Sequence, residues 1–285
     1  MRVKEIELIV LLLAGPIGVR PQVQRAQPAS LTLGRSVAAQ QQPPAPANQS
    51  NASLPPARIN PAAQALLDRA IQALGGAAFM NFKTLTTQGR AFSIADGVTQ
   101  GFVFFQSGVE FPARRRLSYG FAKKKRPIIL INDGNQGWQI DRFGLIEQRP
   151  KQIQGWQQAN RYALENFMRL RIHERGILIL EAGEDFIDYQ PAKVLSMTDA
   201  RQVKIKLYLQ SQTMLPIRIA YRIWKSEDHD WDDYEDDYAD YQPVRGVETP
   251  MHIIRRTNGQ RVAETFRTTV KYDEVYPANY FKPSY

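Results

Sequence analysis

Residues 130–142 read Leu-Ile-Asn-Asp-Gly-Asn-Gln-Gly-Trp-Gln-Ile-Asp-Arg, and this stretch decides the class of the fold. An apolar run, Ile128 to Ile131, leads into Asp133-Gly134, and a short strand with Trp138 and Ile140 leaves it. Asp-Gly between two β-prone runs marks a hairpin, because glycine reaches positive φ without steric cost. Trp138 and Ile140 share one face of the outgoing strand, with Gln139 and Asp141 on the other. A bulky aromatic just past a tight turn anchors a core or lines a cavity.

The same two-residue period runs outward from the hairpin. Phe82 to Ile94 and Val98 to Gln106 read as strands joined at Asp96-Gly97, and Arg114 to Phe121 alternates Arg115, Leu117 and Tyr119 against Arg114, Arg116 and Ser118. Further on, Val203, Ile205, Leu207 and Leu209 alternate with polar or amphipathic neighbours, as do Ile217 to Ile223 and Val262, Phe266, Val270 and Tyr272. With Ile187 to Thr198, Tyr234 to Tyr241 and Met251 to Thr257, the sequence predicts about ten strands or slightly more. Short turns between them imply an antiparallel meander, since parallel neighbours need a long crossover.

Two stretches change to a helical period. Asn60 caps a helix that Pro61 opens and Gly75-Gly76 ends, and Ala63, Leu66, Leu67, Ala70, Ile71 and Leu74 form its apolar stripe. A second helix is expected over roughly Ile153 to Ile172, with Ile153, Trp156, Leu164 and Phe167 near one face and Gly176 as its stop. The expected fold is therefore α+β and mainly β: one strongly curved antiparallel sheet, a half-barrel or open barrel, with two helices covering its concave face. A sandwich would also use the apolar stripes, but accommodates the helices less naturally.

The first 58 residues read differently from the body. Leu8 to Ala14 is apolar, too short for the ~20 residues of a membrane-spanning helix, and residues 1–30 resemble a secretory signal or apolar N-terminal segment. Residues 31–58, including Gln40 to Pro56, are rich in Pro, Gln, Asn, Ser and Ala and read as a disordered linker. The folded domain is expected over 59–285.

Composition excludes some chemistry. With no cysteine among 285 residues, there is no disulfide, thiol nucleophile or cysteine metal site. A formal charge of +9 favours anionic partners, including nucleic acid, lipopolysaccharide and acidic phospholipid. Arg114 to Arg116 and Lys123 to Arg126 interleave with Tyr119 and Phe121, yet no nucleic-acid motif accompanies them, and no nucleic-acid partner is expected. Glu227 to Asp240 holds nine carboxylates without a basic residue. Clustered carboxylates suit calcium, but the run lacks an EF-hand glycine and closing glutamate. It reads instead as a solvated loop and charged strand edge that discourages sheet-to-sheet pairing. No G-x-S-x-G, phosphate-loop or dinucleotide fingerprint appears, so no catalytic residue, metal site or cofactor is expected.

Several short runs resemble one family. Leu130 to Asp141 is similar to the hairpin of the periplasmic lipoprotein-localisation carriers, and Phe111-Pro112 sits where those carriers have a proline opening a strand. Leu207 to Arg222, Tyr241 to Ile253 and Tyr280-Phe281-Lys282-Pro283 resemble segments of outer-membrane lipoprotein-sorting proteins. The likeness spans roughly Pro61 to the C-terminus. It departs at Phe111, where the carriers often have an arginine that helps hold a lid closed, and at Gln210, where an aspartate is expected.

What the resemblance implies is an open β-barrel or half-barrel whose helices plug a hydrophobic cavity for acyl chains or similar ligands. The protein is expected to be a monomer, exported to a Gram-negative-type envelope. Candidate lining residues are Phe102, Phe104, Leu117, Tyr119, Trp138 and Ile140 on the early strands. Trp156, Leu164 and Phe167 would add to it from the second helix, and Ile205, Leu207 and Phe266 from the later strands. Arg115, on the same strand face as Leu117 and Tyr119, is the head-group candidate at the cavity mouth, the alternative being an ordinary surface arginine. Expected partners are a lipid or acylated ligand and, on the alternative reading of a sensory or docking module, an envelope membrane protein.

Overall fold

The computed structural model describes residues 54–120, 127–226 and 229–283. The signal-like segment and most of the linker lie outside the described residues. The last linker positions do not: Arg175 Nε donates to the Leu54 carbonyl, Gly176 N to that of Pro55, and Arg58 N to that of Ile177.

One sheet of fourteen strands makes the body. The N-terminal half contributes β1 (Arg58–Ile59), β2 (Thr84–Ala95), β3 (Val98–Glu110), β4 (Arg114–Gly120), β5 (Ile128–Asp133), β6 (Gln136–Asp141) and β7 (Gly144–Glu147). The C-terminal half contributes β8 (Leu178–Ile187), β9 (Gln190–Thr198), β10 (Lys204–Gln210), β11 (Pro216–Lys225), β12 (Asp230–Val244), β13 (Val247–Thr257) and β14 (Gln260–Tyr272). The spatial order is β1-β8-β9-β10-β11-β12-β13-β14-β2-β3-β4-β5-β6-β7, antiparallel except that β1 runs parallel to β8. The sheet is not closed into a barrel.

Helices α1 (Pro61–Ala73) and α2 (Ala77–Asn81) precede β2, and α3 (Pro150–Tyr162) and α4 (Leu164–Leu170) join β7 to β8. Because β7 and β8 lie near opposite ends of the strand order, α3 and α4 must cross from one end of the sheet to the other. Helix α1 forms as its sequence dictates: the Asn60 carboxamide oxygen accepts from Ala63 N at 2.8 Å, and Ala63, Leu66, Leu67 and Ala70 are buried. The second helical stretch, expected to be continuous, breaks at Ala163, whose backbone is extended (φ −60°, ψ 140°). Asn166, one turn past the break, donates to the Asn160 and Pro112 carbonyls, so the bend serves contacts that a continuous helix would forgo.

The helices also reveal the curl. Neighbouring strands lie ~4.8 Å apart, so a flat sheet would separate β4 from β11, six strands along, by roughly 29 Å. Yet Trp156 of α3 sits 6.0 Å from the Arg115 guanidinium on β4, and Tyr162 stacks on Tyr221 of β11 at 4.2 Å. Six helical residues span only about 9 Å. The two wings of the sheet therefore wrap around α3. The core lies inside this wrap, where Leu67, Leu74, Phe79 and Phe167 meet Ile179, Leu195, Leu207 and Ile219.

Strand β12 corrects the reading of the acidic run. It is an interior strand paired along both sides, and basic side chains on its neighbours answer its carboxylates. Asp233 accepts from Arg222 at 2.6 and 2.8 Å, and Asp236 from Arg255 at 2.7 and 2.9 Å. Asp237 pairs with Arg218 and Arg256, and Asp232 with Lys225. The run is thus the acidic half of an ion-paired sheet, not a charged edge that repels a neighbour. Among the described residues no three His, Asp or Glu side chains gather as a metal site.

Candidate functional site

The inner, helix-facing side of β3, β4 and β5 carries the strongest candidate. Register places Val109, Arg115 and Asn132 in one row, Ser107, Leu117 and Leu130 in the next, and Phe105, Tyr119 and Ile128 in a third. Ala91, Val103, Phe105, Leu117, Tyr119 and Leu130 form an apolar cluster separate from the main core. The buried indole of Trp156 approaches Arg115 from α3.

Arg115 is the one guanidinium in these rows. Its Nη2 donates to Asn132 Oδ1 at 3.1 Å. Asn132 in turn donates to Gln148 Oε1 at 2.8 Å, and Gln148 to the Trp138 carbonyl at 3.1 Å. Gly137 makes this chain possible, since a Cβ there would stand 2.4 Å from Gln148 Oε1. Burial, with the like charge of Arg255 adding to it, lowers the Arg115 pKa to about 9. Arg255 is itself held by Asp236, whose charge and hydrogen bonds outweigh its own burial. The Asp133-Gly134 hairpin thus builds the floor of the site: Asn132 and Gly137 face inward, holding the arginine next door.

The twelve predicted lining residues fall into three places. Trp156 faces Arg115, with Leu117 one row and Tyr119 two rows along the same inner face. Leu164, Phe167, Ile205 and Leu207 are buried in the main core towards the other wing. Phe102, Phe104, Trp138, Ile140 and Phe266 lie on the outer face, opposite the helices, and do not line the interior. The reasons are local. In Phe102-Val103-Phe104-Phe105 both parities are apolar, and the pairing of Val103 with Ala91 turns Val103 and Phe105 inward. A bulge between Arg267 and Thr269 flips the parity of β14, leaving Val270 and Tyr272 inside and Phe266 outside. Val103, Phe105, Leu130, Asn132 and Arg255 were missed, because only pairing reveals their common face.

Two further places bear on the site. The corner at Phe111-Pro112 docks on the crossing helices: Asn160 and Asn166 donate to the Pro112 carbonyl at 2.9 and 3.1 Å, and the Arg169 guanidinium lies over the rings of Phe82 and Phe111. Two cavities of about 470 and 480 Å3 also open on the molecule. The first lies under the C-terminal segment around Tyr276 and Phe281, and the second runs beside Phe104, Gln106 and Tyr119. The three basic residues 114–116 separate: Arg114 pairs with Glu110 and Asp133 at the surface, Arg115 turns inward, and Arg116 lies over Tyr280.

No known sequence family and no curated protein matches the chain. Solved structures do. A DUF1329 family protein from Desulfovibrio piger superposes with a TM-score of 0.51 at 11% identity, covering 77% of this chain and 96% of its own. A LolA superfamily protein from Nitrosomonas europaea gives 0.48 at 14% identity, covering 77% and 96%, and a putative outer membrane lipoprotein-sorting protein domain from Vibrio parahaemolyticus 0.49 at 9%, covering 76% and 95%. The first likeness shows the fold the short runs pointed to: an open, curled sheet with helices inside its wrap.

Proposed function

We propose that this protein is a non-catalytic, exported binder of lipid-like ligands, taking an amphiphile with an acidic head group on the inner face of β3, β4 and β5. One observation carries the reading: the half-buried Arg115 guanidinium faces the Trp156 indole at 6.0 Å, at the end of the apolar rows that begin with Leu117 and Leu130. An anionic oxygen beside that guanidinium relieves the cost of its burial, and a charge-assisted hydrogen bond of this kind contributes roughly 1.5–3 kcal/mol. The apolar cluster supplies the wall for the chain attached to the head group. Trp156 occupies the space in front of Arg115, so binding shifts the indole, and the break at Ala163 gives the crossing helices a place to yield.

Fatty-acid titration followed by tryptophan emission and native mass spectrometry tests this. Oleate is expected to bind, and Arg115→Gln to weaken it about tenfold, whereas Arg142→Gln at the exposed β6–β7 turn leaves it unchanged. Absence of oleate binding, or equal binding by Arg115→Gln, sinks the reading. A second reading, an envelope docking or sensory module on the same scaffold, draws on the closely filled main core and on the exposed aromatics of the outer face. A preparation that carries no lipid but captures an envelope protein favours it.

A further inference from the structure

The outer face carries a surface that the ligand reading does not use. Pairing sets Phe266 beside Arg90 and Arg90 beside Phe104, with Phe92 beside Phe102 in the adjoining row. The rings form one ridge: Phe92 lies 5.7 Å from Phe266 and 5.5 Å from Phe102, and Phe102 lies 5.6 Å from Phe104. Phe102 and Phe104 are 42% and 45% exposed. Contiguous apolar surface of this kind on a soluble face marks an interaction site.

The surroundings select the partner. On one side, Tyr276 and Tyr280 of the C-terminal segment cover Thr86 and Gly108. On the other, β11, β12 and β13 present charges that are already paired. Between them Arg90 is exposed in the middle of the ridge, with no ion pair among the described residues. The neighbouring carboxylate, Glu264, is engaged by Arg261 at 2.8 Å. The 480 Å3 cavity beside Phe104 has Gln88, Gln106, Ser118 and Thr268 in its described lining and no charged group. Phenylalanine rings around an unmatched cation, on a chain of net charge +9, complement a surface of acyl chains beneath phosphates.

We propose that this ridge docks the protein on an anionic lipid membrane, with the four rings at the acyl boundary and Arg90 at the phosphates. The inference stands independently of whether the inner face takes a ligand.

The absence of cysteine permits a clean test on the full chain. Gln106→Cys, beside Phe104 on the same face, carries a nitrobenzoxadiazole label, and Lys206→Cys on β10 serves as the control on a distant part of that face. With vesicles of phosphatidylglycerol and phosphatidylcholine whose acyl chains are dibrominated, the label at 106 is expected to be quenched and the label at 206 not. The pair Phe102→Ser and Phe104→Ser lowers partitioning at least tenfold, and Arg90→Gln removes the preference for phosphatidylglycerol, both with an unchanged urea midpoint. Equal quenching at both labels overturns the proposal, as does vesicle binding that survives the serine pair. A ridge that ignores vesicles yet crosslinks to a protein also overturns it.

Discussion

Asp199 shows how much a single buried carboxylate can organise. It accepts from Arg161 at 3.0 Å and from the Tyr162 hydroxyl at 3.0 Å, both on α3, and from the backbone of Arg201 and Val203 on its own turn. One side chain thus pins the crossing helix to the turn between β9 and β10. Removing it leaves the Tyr162 hydroxyl and two backbone N–H groups without their acceptor while Arg161 keeps Glu174, so Asp199→Ala is expected to cost roughly 1–3 kcal/mol in urea unfolding. Glu174 completes the cluster. Burial alone would raise its carboxyl, but the hydrogen bond and charge of Arg161, then those of Arg171, hold it below its usual 4.5. A depressed carboxyl stabilises the fold above its unfolded value and loses that contribution as pH falls through the folded one. Urea midpoints are therefore expected to fall between pH 6 and pH 3, and less steeply in Glu174→Gln. Parallel slopes for the two proteins would show that Glu174 is not coupled to folding.

Among the elements, α1 was the most legible, because its cap, its opening proline and its stripe all agree. The break in the second helical stretch was not: neither Pro nor Gly marks Ala163, and the contacts that favour the bend come from Pro112, distant in sequence. Strand β12 was illegible for a similar reason. Aspartate is poor in strands, and only the arginines of β11 and β13 make the run a strand. The site itself was half visible: Arg115, Leu117 and Tyr119 could be read from alternation and Trp156 from the helical period, whereas Asn132, Val103 and Arg255 needed register. At the β14–β2 seam, Gly89 lets the bulged strand approach; a Cβ there would stand 1.9 Å from the Phe266 carbonyl oxygen, whereas one at Gly101 meets nothing within 4 Å. Gly89→Ala is expected to cost about 1–3 kcal/mol by overpacking. In thermal unfolding this lowers Tm by roughly 2–4 °C per kcal/mol at this size, and Gly101→Ala serves as the nearly neutral control. Equal Tm values would mean that the seam tolerates a side chain.

For the whole molecule, the crossing helices tie together wings that otherwise communicate only through the sheet. Trp138 reports on one wing, Trp224 and Trp231 on the other, and Trp156 on the helix between them. If the wrap is one cooperative unit, single-tryptophan variants give the same urea midpoint. Two separated midpoints would mean that the wings unfold independently.

The middle of the sheet also dictates when the protein can exist at all. Lys83 N, just before β2, is bonded to Asp273, just after β14, across 190 residues of chain. A ribosome therefore releases β2 long before its partner is made, and that strand must wait with a bare hydrogen-bonding rim. A stop codon falling between Thr257 and Gln260 would leave β13 and one rim of β2 unmatched, yielding not a shortened working protein but two sticky edges for other chains to join.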